Sequence, residues 1–157
     1  MPDNTNQSET IANRLLASLP NAEYQRLLPK LEEFPLVFAS IIYEPNELIS
    51  HVYFPNSGII SLLSAVTTRD TLEVGIVGNE GMVGLPVFLG AGISRNRVVI
   101  QGKGVALRIK ADDFRKECNR NGSLSLRLRR FTNSLITQIS QSAVCNRYHL
   151  IEARLAR

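Results

Sequence analysis

No proline or glycine occurs between Leu124 and Arg157, and this uninterrupted run constrains the fold more than any other feature. The run predicts a single helix, roughly 50 Å long at about 1.5 Å per residue. Leu124, Leu128, Phe131, Leu135, Ile139, Ser142 and Cys145 (or Asn146) follow the three-four spacing of one helical face. A helix longer than the body that precedes it cannot bury the whole of that face on the body. The surplus is expected to meet a second copy, which makes these seven residues the expected interface of a homodimer. The stripe turns polar in its second half, so pairing there is expected to be less purely hydrophobic.

The middle of the chain has a different texture. Short apolar runs, Leu36–Tyr43, His51–Phe54, Ile59–Ala65, Leu72–Val77, Arg97–Gln101 and Val105–Ile109, alternate with turn signals such as Pro45-Asn46, Asn56-Ser57-Gly58 and Gly102-Lys103-Gly104. Regular short strands with this punctuation predict an antiparallel sandwich or barrel rather than βαβ units. Gly81–Ile93 is too rich in glycine for a clean strand and reads as a loop or short helix. Ahead of the strands, residues 1–10 read as a disordered tail. Ile11 to Leu19 has helical spacing stopped by Pro20, and Asn21 is placed to cap a second short helix ending near Pro29. After the strands, Asp112 or Asp113 can cap a helix to Cys118, and Asn121-Gly122-Ser123 breaks the chain before the long run.

The net charge of +4 is unevenly spread. Residues 115–157 hold nine Lys/Arg against two Glu, while the first 114 residues are net acidic. The basic character therefore belongs to the C-terminal segment, as an acidic partner, nearby nucleic acid or a solvated arginine-rich face would each explain. Cys118 and Cys145, with His51 and His149, form no metal-ligand spacing, and no metal site is expected. The polar N-terminus carries no export signal and no run is long enough to span a membrane. Two cysteines without a disulfide framework fit the reducing cytoplasm.

Catalytic patterns are not convincing. There is no G-x-S-x-G, no phosphate-binding lysine loop and no H-E-x-x-H. Gly90-Ala91-Gly92 opens like a dinucleotide fingerprint but meets Arg95 where the third glycine belongs. Cys145 and His149 stand one helical turn apart, which admits a nucleophile–base pair but is better explained by helix packing. The informative stretch is Gly78–Gln101. Its glycine-rich bend leads into a short helix and then to Arg95 and Asn96 entering a strand. Backbone N–H groups facing an arginine there would make an anion site; a barrel corner with Arg95 exposed fits the same spacing.

Three segments carry a family resemblance: Tyr43-Glu-Pro-Asn-Glu-Leu, His51-Val-Tyr-Phe-Pro-Asn-Ser-Gly-Ile-Ile-Ser-Leu and Glu73-Val-Gly-Ile-Val-Gly-Asn-Glu-Gly-Met-Val-Gly. Together with the ending from Cys145 to Arg157, they resemble the sensor domain of Crp/Fnr-type bacterial transcription regulators. The similarity covers the chain from about Ile11. It implies a mainly β fold with flanking helices: a double-stranded β-helix, or jelly roll, of cyclic-nucleotide-binding type over residues 11–122, and a long dimerisation helix over 123–157. It also implies a winged-helix DNA-binding domain beyond Ala153-Arg-Leu-Ala-Arg157, where family chains continue, so DNA contact is expected only through that further domain.

The resemblance further implies a ligand pocket between Gly81–Asn96 and the long helix, with Gly81, Met82, Val83, Gly84, Arg95, Asn96 and Ser140 as its residues. Met82 falls where cyclic-AMP-binding relatives have the glutamate that holds the ribose, and either Arg95 or Arg97 matches their phosphate-binding arginine. Methionine accepts no ribose hydrogen bond, which disfavours cyclic AMP and leaves a small anionic or nucleotide-like effector as the expected ligand. The iron–sulfur branch needs N-terminal cysteines, which do not occur before Cys118. The function expected is thus non-enzymatic effector sensing, relayed to a DNA-binding domain. The alternative is a ligand-free interaction module with a vestigial pocket.

Overall fold

The computed structural model describes residues 12–155, with the side chains of all of these but 149–151, 153 and 154. The expected tail, the helix start at Ile11, the side chain of His149 and the terminal Ala156-Arg157 lie outside the described residues. Two short helices, α1 (Arg14–Ala17) and α2 (Asn21–Leu27), and a single 3-10 turn lead into seven strands. These are β1 (Glu32–Leu36), β2 (Ile41–Tyr43), β3 (His51–Pro55), β4 (Ile59–Ala65), β5 (Thr71–Val77), β6 (Arg97–Gly102) and β7 (Gly104–Lys110). A single turn of helix, α3 (Leu85–Phe88), interrupts them between β5 and β6. Helices α4 (Ala111–Cys118) and α5 (Ser123–Leu155) complete the chain.

The strands form two antiparallel sheets, β1-β7-β3 and β2-β6-β4-β5. Val52, Phe54, Ala106 and Ile109 from the first sheet and Ile60, Val77 and Ile100 from the second are buried in one common core. This is a jelly-roll sandwich and not a closed barrel. Leu36–Tyr43, expected as one strand, holds only the last residue of β1 and the whole of β2, and Glu32–Pro35 of β1 was not expected as strand. Ala39 adopts a left-handed backbone (φ 66°), and the chain there leaves the sheet of β1 for the sheet of β2. Val37, Phe38 and Ile41 are apolar although they are exposed at this corner, so hydrophobicity alone does not mark the break.

The helix caps also differ from expectation. Asn13, fully buried, caps α1: its Oδ1 accepts from the N–H groups of Leu15 and Leu16, both at 3.1 Å. Its Nδ2 donates to the carbonyls of Pro55 (2.8 Å) and Gly81 (2.9 Å), tying α1 to β3 and to the glycine-rich loop. Asn21 is the first residue of α2, behind Pro20, and does not cap it. Asp112 and Asp113 sit inside the first turn of α4, where negative charge suits the helix dipole, and neither makes a capping bond. Glu23 of α2 caps α5 from outside: its carboxylate accepts from the N–H groups of Ser123 (2.9 Å) and Leu124 (3.0 Å). Burial works to raise the Glu23 pKa, but the backbone hydrogen bonds outweigh it and hold the group below its ordinary value.

The 33-residue α5 is anchored along its first half. Leu124, Leu128 and Leu135 are buried in the chain's own core, with Phe131 and Ile139 packed against it. Part of the expected dimer stripe is therefore consumed internally, because β5 lies alongside α5 and takes the apolar face the spacing revealed. Ser142 is half-exposed and Cys145 exposed. The large apolar side chains that α5 leaves in solvent, Leu126, Ile136, Val144, Tyr148 and Leu155, lie elsewhere around the helix.

Candidate functional site

A cavity of about 160 Å³ lies between the β-roll and α5. The glycine-rich loop forms its floor through Met82, Val83 and Gly84, and α3 with the residues after it adds Leu85, Pro86 and Leu89. Leu62 and Val98, paired partners on β4 and β6, present a second wall with Tyr43. Leu135 and Ile139 of α5 close the third side. Ser94 and Asn96 supply the polar edge.

Of the residues expected at the pocket, Met82, Val83, Gly84 and Asn96 line it. Gly81 is adjacent but lies under the ring of Phe131: a Cβ at this position would stand 2.1 Å from Phe131 Cε2. Arg95 does not reach the cavity; it is exposed, with Nη1 directed to Asn46 Oδ1 at 3.4 Å. Arg97 does not reach it either, and pairs through Nε with Glu44 Oε2 at 3.0 Å. The reason is alternation along extended chain: Ser94, Asn96 and Val98 face inward, so 95 and 97 face out. Ser140 is exposed on α5, while its neighbour Ile139 faces the cavity. The expected arginine-facing anion site is thus not assembled.

Sequence reasoning did not single out Tyr43, Leu62, Leu85, Pro86, Leu89, Ser94 or Val98. The two-residue period of β4 and β6 marks Leu62 and Val98 as inward-facing, but it does not tell core from cavity wall.

The polar groups around the cavity are largely satisfied by the protein. Tyr43 donates its hydroxyl to the His51 carbonyl, and burial raises the phenol's pKa above its ordinary value. Ser94 Oγ donates to the carbonyl of Asn96 at 2.7 Å, and Asn96 Nδ2 to the carbonyl of Leu63 at 3.3 Å. His51 itself stands in β3, half-buried, 3.8 Å from Glu32. Burial and the neighbouring Arg108 lower its pKa against the opposing pull of Glu32.

Positive charge gathers elsewhere. A more open groove of about 380 Å³ on the neighbouring flank of α5 is lined by Arg14, Arg127 and Arg130, with Glu80 and Phe131. It accounts for part of the basic C-terminal segment, and it is separate from the cavity under α5 except that Leu135 touches both. Among the described residues no cluster of His, Cys, Asp and Glu is arranged to hold a metal ion, and no helix is long and apolar enough to cross a membrane.

The architecture, two antiparallel sheets followed by a long helix, is the jelly-roll fold of cyclic-nucleotide-binding type. No protein-family model matches the chain, and no curated protein matches its sequence; the likeness is to solved structures. The catabolite activator protein of Thermus thermophilus superposes with a TM-score of 0.57 at 16% identity, over 90% of this chain and 60% of its own. This chain thus spans about three fifths of that protein. A CooA variant from Carboxydothermus hydrogenoformans gives a TM-score of 0.67 at 18% identity, over 90% of this chain and 89% of its own. The regulatory subunit of a cAMP-independent protein kinase A from Trypanosoma brucei gives 0.67 at 18%, over 79% of this chain and 44% of its own. The fold is that of the Crp/Fnr-type sensor domain, as the sequence resemblance implied.

Proposed function

We propose that this chain is the effector-sensing part of a transcription regulator of Crp/Fnr type, non-enzymatic, with α5 as the relay. One observation carries the reading: Leu135 and Ile139 of α5 form a wall of the cavity, so a molecule entering it must press on the helix that leads out of the domain. A polar tie also holds the same helix to the body midway along its length. Gln138 accepts from Ile76 N–H at 2.7 Å and donates to the Ile76 carbonyl at 3.3 Å. This pair occupies backbone groups of β5, the strand at the edge of its sheet.

Occupancy would bias the position of α5 beyond Gln138 and, through it, a DNA-binding domain beyond residue 157. Two copies would pair through the solvent-facing side of α5, where Ile136, Val144 and Tyr148 are exposed. The structural neighbours, an activator protein and a kinase regulatory subunit, support the sensing role. The kinase among them is described as cAMP-independent.

Hydrogen exchange on a cavity-filled variant tests the relay. Val98→Phe places a ring in the cavity and should change amide protection in α5 after residue 138 while leaving β3 and β7 unchanged. Unchanged α5 exchange in a folded variant would leave the domain as an interaction module with a vestigial pocket.

A further inference from the structure

We infer that the effector taken by the cavity under α5 is a small, uncharged, largely apolar molecule about the size of one or two fused rings, and not a nucleotide; this rests on the sensing role proposed above. The walls are Leu62, Met82, Leu85, Val98, Leu135 and Ile139, and among the described residues no Lys, Arg, His, Asp or Glu lines them. A phosphate placed there would give up its hydration without gaining a counter-charge, which makes its transfer strongly unfavourable.

The arginines that could have answered it are directed elsewhere. Arg97 is neutralised by Glu44, and Arg95 contacts Asn46 on the exterior. Turning either inward would reverse the alternation that places Asn96 and Val98 on the cavity side, and would bring a guanidinium into an apolar space.

Volume points the same way. About 160 Å³ is close to the apolar cavity of about 150 Å³ that takes up benzene in another protein. The polar capacity left is small and of one kind. The Tyr43 and Ser94 hydroxyls donate to backbone carbonyls, and so does Asn96 Nδ2. Asn96 stands on the polar edge of the cavity and its Oδ1 accepts no hydrogen bond among the described residues, so a ring with one N–H or O–H donor has an acceptor available at that edge.

The test is thermal denaturation of the intact chain with toluene and indole as probes, against cyclic AMP and inorganic phosphate, with hydrogen exchange of α5 as a second readout. Indole at a hundred times its Kd should raise Tm by roughly 8 °C, and cyclic AMP and phosphate should not. Val98→Phe should weaken indole at least tenfold. If that variant does not fold, Ile139→Trp fills the cavity from the helix side and should do the same. Asn96→Ala should weaken indole more than toluene.

A cyclic AMP response lost in Arg95→Ala or Arg97→Ala would overturn the ligand class while leaving the sensing role intact. Indole binding that leaves α5 exchange unchanged would uphold the ligand class and remove the relay. No response to indole or toluene, with altered α5 exchange in Val98→Phe, would overturn the ligand class alone.

Discussion

The ring of Phe131 on α5 lies against the bare Cα of Gly81, so close that a methyl group there would stand 2.1 Å from Phe131 Cε2. The glycine-rich loop and the long helix are thereby in direct contact beside the cavity. Gly81→Ala should displace the ring and destabilise the domain by about 1–3 kcal/mol, the usual cost of overpacking. Phe131→Ala removes the obstacle, so the double variant should be less destabilised than the two single effects added together. Urea denaturation of the three variants measures the coupling; strict additivity would show that the ring moves aside freely.

The cap supplied by Glu23 makes the start of α5 sensitive to acid. Glu23→Ala should cost about 1 kcal/mol at neutral pH. The carboxylate is held below its ordinary value of 4.5, so its contribution is complete above that pH and is lost as pH falls through the lower folded-state value. The stability difference between parent and variant should therefore be constant near neutrality and shrink below about pH 4.5. A difference that grew on acidification would contradict the capping role.

Gln138 can be removed without disturbing the core. Gln138→Ala leaves the Ile76 N–H and carbonyl to water and should cost about 1 kcal/mol. The more telling effect is local: the Ile76 amide, now protected by Gln138 Oε1 at 2.7 Å, should exchange faster. Equal exchange in parent and variant would mean that α5 is held to β5 by apolar packing alone.

The two sides of α5 should respond differently to charge. Leu128 is fully buried in the chain's own core, and Leu128→Glu should unfold the domain rather than split a dimer. Val144 and Tyr148 are exposed, at 67% and 65%, and Val144→Glu with Tyr148→Glu should leave the fold intact and yield monomers in sedimentation equilibrium. A parent chain that is monomeric at tens of micromolar would remove the proposed pairing.

The two thiols should separate cleanly in labelling. Cys118 is buried, and that burial pushes its pKa up to about 12, whereas Cys145 is exposed. A thiol reagent at pH 8 should modify Cys145 rapidly and Cys118 only on unfolding. Cys145→Ala should abolish the fast phase.

Strands β2 to β7 were legible because turn-forming residues bracket short apolar runs, and the long helix because nothing interrupts it; β1, Glu32–Leu36, was missed because its two glutamates and proline do not read as an apolar run. Met82, Val83, Gly84 and Asn96, which line the cavity, were expected at a pocket through the family resemblance and not through spacing. Arg95 could not be placed correctly, because charge and spacing alone do not show which side of an extended chain a residue takes.

By itself, the sequence determined an antiparallel β body, sandwich or barrel, the single long helix and which face of that helix is apolar, since these follow from local periodicity and backbone preference. Only the tertiary structure decided what the face packs against. A stripe containing Leu124, Leu128 and Leu135 has the same spacing whether it meets a second copy or its own β5. The choice depends on contacts between residues far apart in the chain, such as Gly75 of β5, whose missing side chain leaves Leu135 and Gln138 room to approach.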